Sequence, residues 1–565
     1  MYVPFFGRIS LLDWPIIVVS FLLAWSEYII SKITNSLPTI VIGTFTMVTS
    51  LIYKFISPVN LMRRQFNDSH AKNDMLDEID EEEYGPKYQY SINATNQPPI
   101  PKEKYDLMIG LLNAKNIREM CQLFGYDVES RIVQTKDNYL LTIQRIIKPG
   151  LIERQPNGKV IYLHHGLLMS SEIWVTMIDK YSNLPFLLYE LGYDVWLGNN
   201  RGNKYSQKHL YYKLQSEKFW DFSLDEFALF DIPNSIDYIL KATESEKLTY
   251  IGFSQGTAQA FASVSINSDL NQKIDQLIAI SPAATPKGLY SQFLDILLKS
   301  SPQIFFLLFS RKILMPSIIF WQKIMYPPLF DSLIDVSNYI LFNWKALNIP
   351  KIQKLSSYAH LYSTTSVKTV VHWFQIISSK NFQMYHDTHH QISGLTPISY
   401  PLKNIKVPIH LIYGDIDSLV DIEVMKNQLP TGTTSAVPVA NHEHLDNLWG
   451  HDVYEKVFKH VLEYLGEDSR VVYNQYIAGS QKLIEDILDE GIGDGDEEEV
   501  KEEEEVHQSY LKLSLESINN DDESSIDHSN KKGAVSVATV TGSNALNPTI
   551  VPSHRQPSSG GSLLI

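Results

Sequence analysis

The chain has 565 residues, 44% of them hydrophobic and 11% aromatic, enough to bury a large core and more than one compact core usually organises. Its formal net charge of −16 argues against non-specific attraction to nucleic acid or anionic headgroups, so no nucleic-acid partner is expected. The one cysteine, Cys121, excludes an intramolecular disulfide and a cysteine-built metal site, which favours a catalytic part facing a reducing compartment.

Residues 1–60 read as a membrane anchor. Trp14–Ser26 is charge-free but short for a spanning helix, and Ile33–Tyr53 is charge-free and near the roughly 20 residues that cross hydrocarbon. Asn35, Ser36 and Pro38 supply a turn. Arg8 precedes the pair and Lys54, Arg63 and Arg64 follow it, which suits a hairpin with both ends in the cytosol. A cleaved signal peptide fits poorly, because no small-residue cleavage site closes the first run and a second apolar run follows at once. Residues 61–110 form a polar linker, with an acidic run over Asp74–Glu83 and the breaker sequence Asn96-Gln97-Pro98-Pro99.

Strand and helix signals then alternate. Ser130–Thr135 and Tyr139–Ile143 read as two strands around a turn at Lys136-Asp137-Asn138. Val160–Leu163, Asp194–Leu197, Leu248–Gly252, Leu277–Ile280 and Ile409–Tyr413 are short apolar runs bounded by turn residues, as buried parallel strands are. This implies an α/β fold with a doubly wound sheet, its core divided between residues 111–281 and 405–466. Residues 282–404 are too long for a loop and read as a mostly helical insertion. Residues 467–565 read as an acidic tail that loses apolar periodicity beyond Leu488, with disorder expected from about Asp489.

Gly252-Phe253-Ser254-Gln255-Gly256 follows the strand Leu248–Ile251 and opens a small-residue helix over Thr257–Val264. In that setting a Gly-x-Ser-x-Gly sequence is a nucleophile elbow, with Ser254 on a strained turn that the glycines allow. A serine hydroxyl needs a histidine to remove its proton and a carboxylate to hold that histidine. Asp417, just past the strand Ile409–Tyr413, is the favoured carboxylate; Asp415 and Asp421 lie within reach and suit turn formation and helix capping. His442 and His444 both stand downstream, and order along the chain does not choose between them. For the oxyanion hole, Gln255 supplies the backbone N–H after the nucleophile, and Leu167, in His164-His165-Gly166-Leu167-Leu168, supplies the second. His165 reads as a loop-fixing residue. No metal and no cofactor is expected, since His164 and His165 lack a third ligand at a recognisable spacing.

Five stretches, Leu163–Leu168, Gly192–Asn203, Phe219–Glu226, Gly252–Thr257 and His444–Gly450, together resemble the acid lipase family, which includes gastric lipase, lysosomal acid lipase and fungal steryl ester hydrolases; the likeness spans about residues 116–465. The resemblance implies the α/β-hydrolase fold, with residues 282–404 as the cap and lid. It selects His444, which opens the family's His-Leu-Asp motif, over His442, and it matches Asp417 to the triad aspartate and Asp421 to a second, non-triad one. Phe253 stands where mammalian members usually carry histidine, and Asn200 where serine is usual. The family likeness also implies that Phe305–Phe309 and Ile318–Trp321 offer apolar surface to a lipid interface or substrate tunnel; packing of the cap's own core is the plain alternative.

The first ten residues resemble those of fungal lipid-droplet sterol esterases. That likeness implies a membrane-anchored enzyme hydrolysing steryl esters, with a lipid droplet or membrane surface as its partner. Residence on droplets and the endoplasmic reticulum follows, the plasma membrane being the alternative. Triacylglycerol hydrolysis by the same residues is the nearest rival activity, and a non-catalytic droplet tether a remote one. Asn67-Asp68-Ser69 and Asn93-Ala94-Thr95 are glycosylation sequons only if this side is lumenal. Both asparagines are expected to stay unmodified in the cell, as a mobility-shift assay after endoglycosidase treatment would show; sugar on either would reverse the topology.

Overall fold

The computed structural model describes residues 102–149, 158–286, 302–386, 397–419 and 421–477, with nine isolated positions between 18 and 48. Almost all of the expected anchor, most of the linker and the tail beyond residue 477 lie outside the described residues. Among the described residues no helix is long and apolar enough to cross a membrane.

Two helices precede the sheet, α1 (Lys102–Asn113) and α2 (Ile117–Leu123). The linker expected to reach residue 110 therefore gives way to a helix eight residues earlier, because Met108 and Leu111 lie one turn apart and bury themselves against the core. Asn116 starts α2 by accepting hydrogen bonds from Arg118 N and Glu119 N.

The strands are β1 (Asp127–Gln134), β2 (Tyr139–Ile147), β3 (Val160–His164), β4 (Asp194–Leu197), β5 (Lys208–His209), β6 (Leu248–Phe253), β7 (Ile274–Ile280), β8 (Ile409–Gly414) and β9 (Thr434–Val439). They form one sheet in the order β1-β2-β4-β3-β6-β7-β8-β9, with β5 paired to β2. β2 pairs antiparallel with β1, β4 and β5, and from β4 across to β9 every neighbouring pair is parallel. The seven expected strands are all present. β9 went unread: it is an edge strand, half-exposed along most of its length and holding Pro438, which a central strand would not tolerate.

Strand periodicity divides the core. Ile161, Leu163, Val195, Leu197, Ile251 and Phe253 point to one face, while Val160, Tyr162, Trp196, Leu248 and Tyr250 point to the other. The first face is covered by α3 (Leu184–Glu190) among others and the second by α4 (Ile232–Thr243) and α5 (Gln255–Ile266). With both faces buried, the strands read as continuous apolar runs.

Between β7 and β8 the described residues form α6 (Pro302–Phe309), α7 (Ile318–Ile324), α8 (Pro327–Phe342), α9 (Lys351–Tyr358) and α10 (Val367–Ser379). Phe305 and Leu308 pack with Ile304, Leu314, Val367 and Val371 into a small core of their own. In Phe305–Phe309, expected either to offer apolar surface to a lipid interface or substrate tunnel or to pack the insertion's own core, Phe305 and Leu308 are buried in that core and Leu307, 62% exposed, faces outward. After β8 come α11 (Ile422–Gln428), α12 (Asp446–Trp449) and α13 (Lys459–Leu465).

Arg201, 1% exposed, ties the antiparallel edge to the parallel core. Its guanidinium meets Asp231 at 2.7 Å and Asp137, in the β1–β2 turn, at 2.5 Å, and lies 4.0 Å from the centre of the Tyr139 ring. Removing the cation strands the buried Asp231 carboxylate. Arg201→Met is expected to cost about 3–5 kcal/mol of stability, read as a lowered urea midpoint.

Candidate active site

At the carboxyl end of β6 the chain turns at Ser254 with φ 52° and ψ −120°, then enters α5 at Gln255. Backbone bonds hold this left-handed residue: its N–H donates to Ile280 O of β7 at 3.1 Å, and its carbonyl accepts from Thr257 N at 2.9 Å and Thr257 Oγ1 at 2.7 Å. A Cβ on residue 252 would lie 2.8 Å from Thr257 N, and one on residue 256 would lie 2.5 Å from His164 O. Only glycine fits either place, which is why the motif needs both.

β8 ends against the histidine loop. A Cβ on Gly414 would lie 2.0 Å from His442 O, so the two chains touch backbone to backbone. From that contact Asp417 reaches His444: Oδ2 lies 2.7 Å from Nδ1, and Oδ1 accepts from Leu419 N at 2.9 Å. His444 Nε2 lies 2.8 Å from Ser254 Oγ. An ionised carboxylate only accepts, so Nδ1 carries the proton and Nε2 is left to receive the one from Ser254. All three side chains are buried. Ser281, at the end of β7, holds the His444 carbonyl at 2.8 Å.

The structure thus brings Ser254, Asp417 and His444 together, and both expected oxyanion donors stand beside them. Gln255 is the first residue of α5, so its N–H has no acceptor within the helix. Leu167 follows Gly166, where an added Cβ would lie 3.1 Å from Ser254 Cβ, so this loop passes directly beside the nucleophile. The alternatives have other tasks. His442 is fully buried, 2.9 Å from Asn447 Oδ1 and 2.9 Å from Asp452 Oδ1; Asp415 accepts from Asn441 N at 2.7 Å; Asp421 caps α11 through Val424 N at 3.3 Å. His165 Nδ1 donates to Gly166 O at 2.8 Å, and Asn200 engages both histidines, through Oδ1 to His164 at 2.8 Å and through N to His165 at 3.2 Å. Burial lowers their pKa values to about 4 and about 3, so both are neutral loop braces.

The insertion adds residues that the sequence did not point to. Trp373 Nε1 of α10 donates to Gln255 Oε1 at 2.7 Å, and the Trp344 ring stacks on His444. Neither tryptophan belongs to a motif; each matters only because the insertion folds back over β6 and β8. Phe253 also packs against His444, its ring centre 5.3 Å away and its plane tilted by 56°.

An ordered Ser–His–Asp chain at the carboxyl edge of this sheet places the protein among the α/β hydrolases, and residues 159–455 match the family described as the alpha/beta hydrolase fold. Residues 117–178 match a second family, the partial alpha/beta-hydrolase lipase region. A probable lipase of Schizosaccharomyces pombe is 50% identical over 360 residues, covering 63% of this chain and 81% of the relative. Human gastric triacylglycerol lipase is 33% identical over 376 residues, 63% of this chain and 92% of the relative. A putative lysosomal acid lipase/cholesteryl ester hydrolase of Crotalus adamanteus is 32% identical over 371 residues, 62% and 90% respectively. The chain belongs to the acid lipase family and is a carboxylic ester hydrolase.

Asp446 tests the electrostatics of the histidine loop. Burial, with the charge of Glu443 beside it, raises its pKa to about 7, while Oδ2 accepts from Glu443 N at 2.8 Å. A folded pKa above the unfolded value means that its stabilising contribution is full below about pH 4 and is lost as pH rises through about 7. Asp446→Asn keeps an acceptor for Glu443 N and does not titrate. Its melting temperature minus that of wild type is expected to be larger at pH 8 than at pH 5 by about 2 °C or more, measured by thermal denaturation.

Proposed function

We propose that this chain is a membrane-anchored serine esterase that hydrolyses steryl esters to sterol and fatty acid. The observation that carries the chemistry is the pair of contacts around His444, 2.8 Å to Ser254 Oγ and 2.7 Å to Asp417. Ser254 Oγ attacks the ester carbonyl carbon as its proton passes to His444 Nε2, and Asp417 stabilises the imidazolium so formed. The N–H groups of Leu167 and Gln255 receive the negative charge on the carbonyl oxygen. His444 then returns its proton to the departing alcohol oxygen. Water, deprotonated by the same nitrogen, attacks the acyl-enzyme, and release of the fatty acid restores Ser254.

Support for a steryl ester comes from the N-terminal likeness to sterol esterases and from a relative named as a cholesteryl ester hydrolase. Triacylglycerol is the second reading, favoured by the gastric triacylglycerol lipases among the relatives. The apolar runs of residues 14–26 and 33–53 support attachment to lipid droplets and the endoplasmic reticulum with the active site facing the cytosol.

Purified full-length protein is expected to release fatty acid faster from emulsified cholesteryl oleate than from triolein. Ser254→Ala should lower both rates by about a thousandfold or more. Faster triolein hydrolysis would select the second reading, and full turnover by Ser254→Ala would remove Ser254 from the reaction.

A further inference from the structure

α8 ends at Phe342, and the chain behind it is stitched to both loops that carry the proposed proton relay. Ser418 Oγ, next to Asp417, donates to Phe342 O. Glu443, next to His444, accepts from Lys345 N at 2.9 Å and from Ala346 N at 2.7 Å. Asn348 Nδ2 donates to Asp452 Oδ1 at 2.7 Å, and Asn348 O accepts from His451 N at 3.0 Å. The segment bends sharply within this clamp, with Asn343 at φ 60° and Ala346 at φ 50°. Asn343 is the left-handed cap that ends α8, its N–H donating to Tyr339 O at 2.9 Å, whereas at Ala346 the surrounding bonds must hold a backbone that β-carbon sterics disfavour.

The strained turn delivers one side chain. The Trp344 indole lies parallel to the His444 imidazole, with ring centres 5.0 Å apart and planes 4° from parallel. Phe342 stacks on the indole at 4.3 Å, and Phe253 packs against His444 with ring centres 5.3 Å apart. Trp344 is buried, yet its Nε1–H has no hydrogen-bond partner among the described residues. A buried, unpaired indole N–H is unfavourable, so hydrogen bonding does not explain the ring's placement. Its face is what the site uses.

We propose that Trp344 is a positioning residue for ester hydrolysis, held by the Glu443 clamp, and that it acts through His444. The stacked indole prevents the imidazole from rotating out of the line between Asp417 and Ser254. When His444 takes the serine proton it becomes a cation against an aromatic face, an arrangement the indole stabilises electrostatically. Glu443 contributes by fixing the backbone of residues 345 and 346. This proposal rests on the reading of Ser254, His444 and Asp417 as the reacting set.

The test uses the full chain and a soluble short-chain p-nitrophenyl ester, so that lipid-surface binding does not enter the rate. Trp344→Leu keeps apolar bulk and loses the π face; kcat is expected to fall about 5- to 10-fold with KM changed less than about twofold. Trp344→Phe restores a π face and should stay within about twofold of wild type. Glu443→Ala should lower kcat in the same direction, and adding it to Trp344→Leu should cost little more, since the two act as one unit. The rate of Ser254 modification by an organophosphonate, normalised to the folded fraction from circular dichroism, should follow kcat and reads variants that fold poorly. Wild-type rates in Trp344→Leu, or a Trp344→Phe variant as slow as Trp344→Leu, would overturn the proposal while inactive Ser254→Ala leaves the triad reading standing. Full turnover by both Ser254→Ala and His444→Ala would overturn the triad reading and this proposal with it.

Discussion

Ser254 at φ 52° and ψ −120° is a conformation that an L-residue keeps only when its neighbours hold it there. Three strands provide that hold. β6 delivers the residue, β7 accepts its N–H through Ile280 O, and the end of β3 and the residue after it set the His164 and His165 carbonyls against Gly256 so closely that a methyl group there would collide with them. The parallel order β3-β6-β7-β8 follows from the same requirement, because it puts the carboxyl ends of all four strands on one edge. Asp417 and Ser281 arrive at that edge from β8 and β7, and His444 is fastened to both. The nucleophile's strain and the sheet's topology are one constraint.

The insertion between β7 and β8 is bound into this arrangement. Ser363 N donates to Leu168 O at 2.6 Å in the oxyanion loop, Trp373 holds the side chain of Gln255, and residues 342–348 brace the loops of Asp417 and His444. Each contact falls on a residue that the mechanism uses or on its immediate neighbour. The α/β core alone would leave His444 with one aromatic wall, Phe253, and would leave Leu168 O and the Glu443 carboxylate to find other partners.

Much of the core was legible in the sequence because its signals are local. A buried parallel strand needs only a short apolar run between turn residues, and the elbow needs two glycines at a fixed spacing around Ser254. Asp417 was legible from its place after β8, but His444 was separated from His442 by family likeness alone, since both histidines follow the same strand and both become buried. β9 was hidden by Pro438 and by half-exposed residues that break the run. α1 was hidden because a short amphipathic helix with two buried residues looks polar when read as composition. Trp344 and Glu443 carried no signal at all. Their roles arise from contacts across nearly a hundred residues, between Glu443 and Lys345, and no periodicity or motif encodes such a meeting.

This bears on how substrate choice and catalysis are divided. In a fold where core and insertion were independent, the core would carry the reaction and the insertion would select the ester, and each could vary alone. Here Trp344, two residues past the end of α8, lies against the face of His444, and the backbone after it is held by Glu443, the residue before His444. A change that shifts α8 therefore also shifts the support of His444. Conversely, Ala346 at φ 50° donates its N–H to Glu443, so a displacement of α8 must loosen that grip or carry the His444 loop with it. The backbone from Phe342 to Asn348 is therefore the point at which the insertion and the histidine loop are joined.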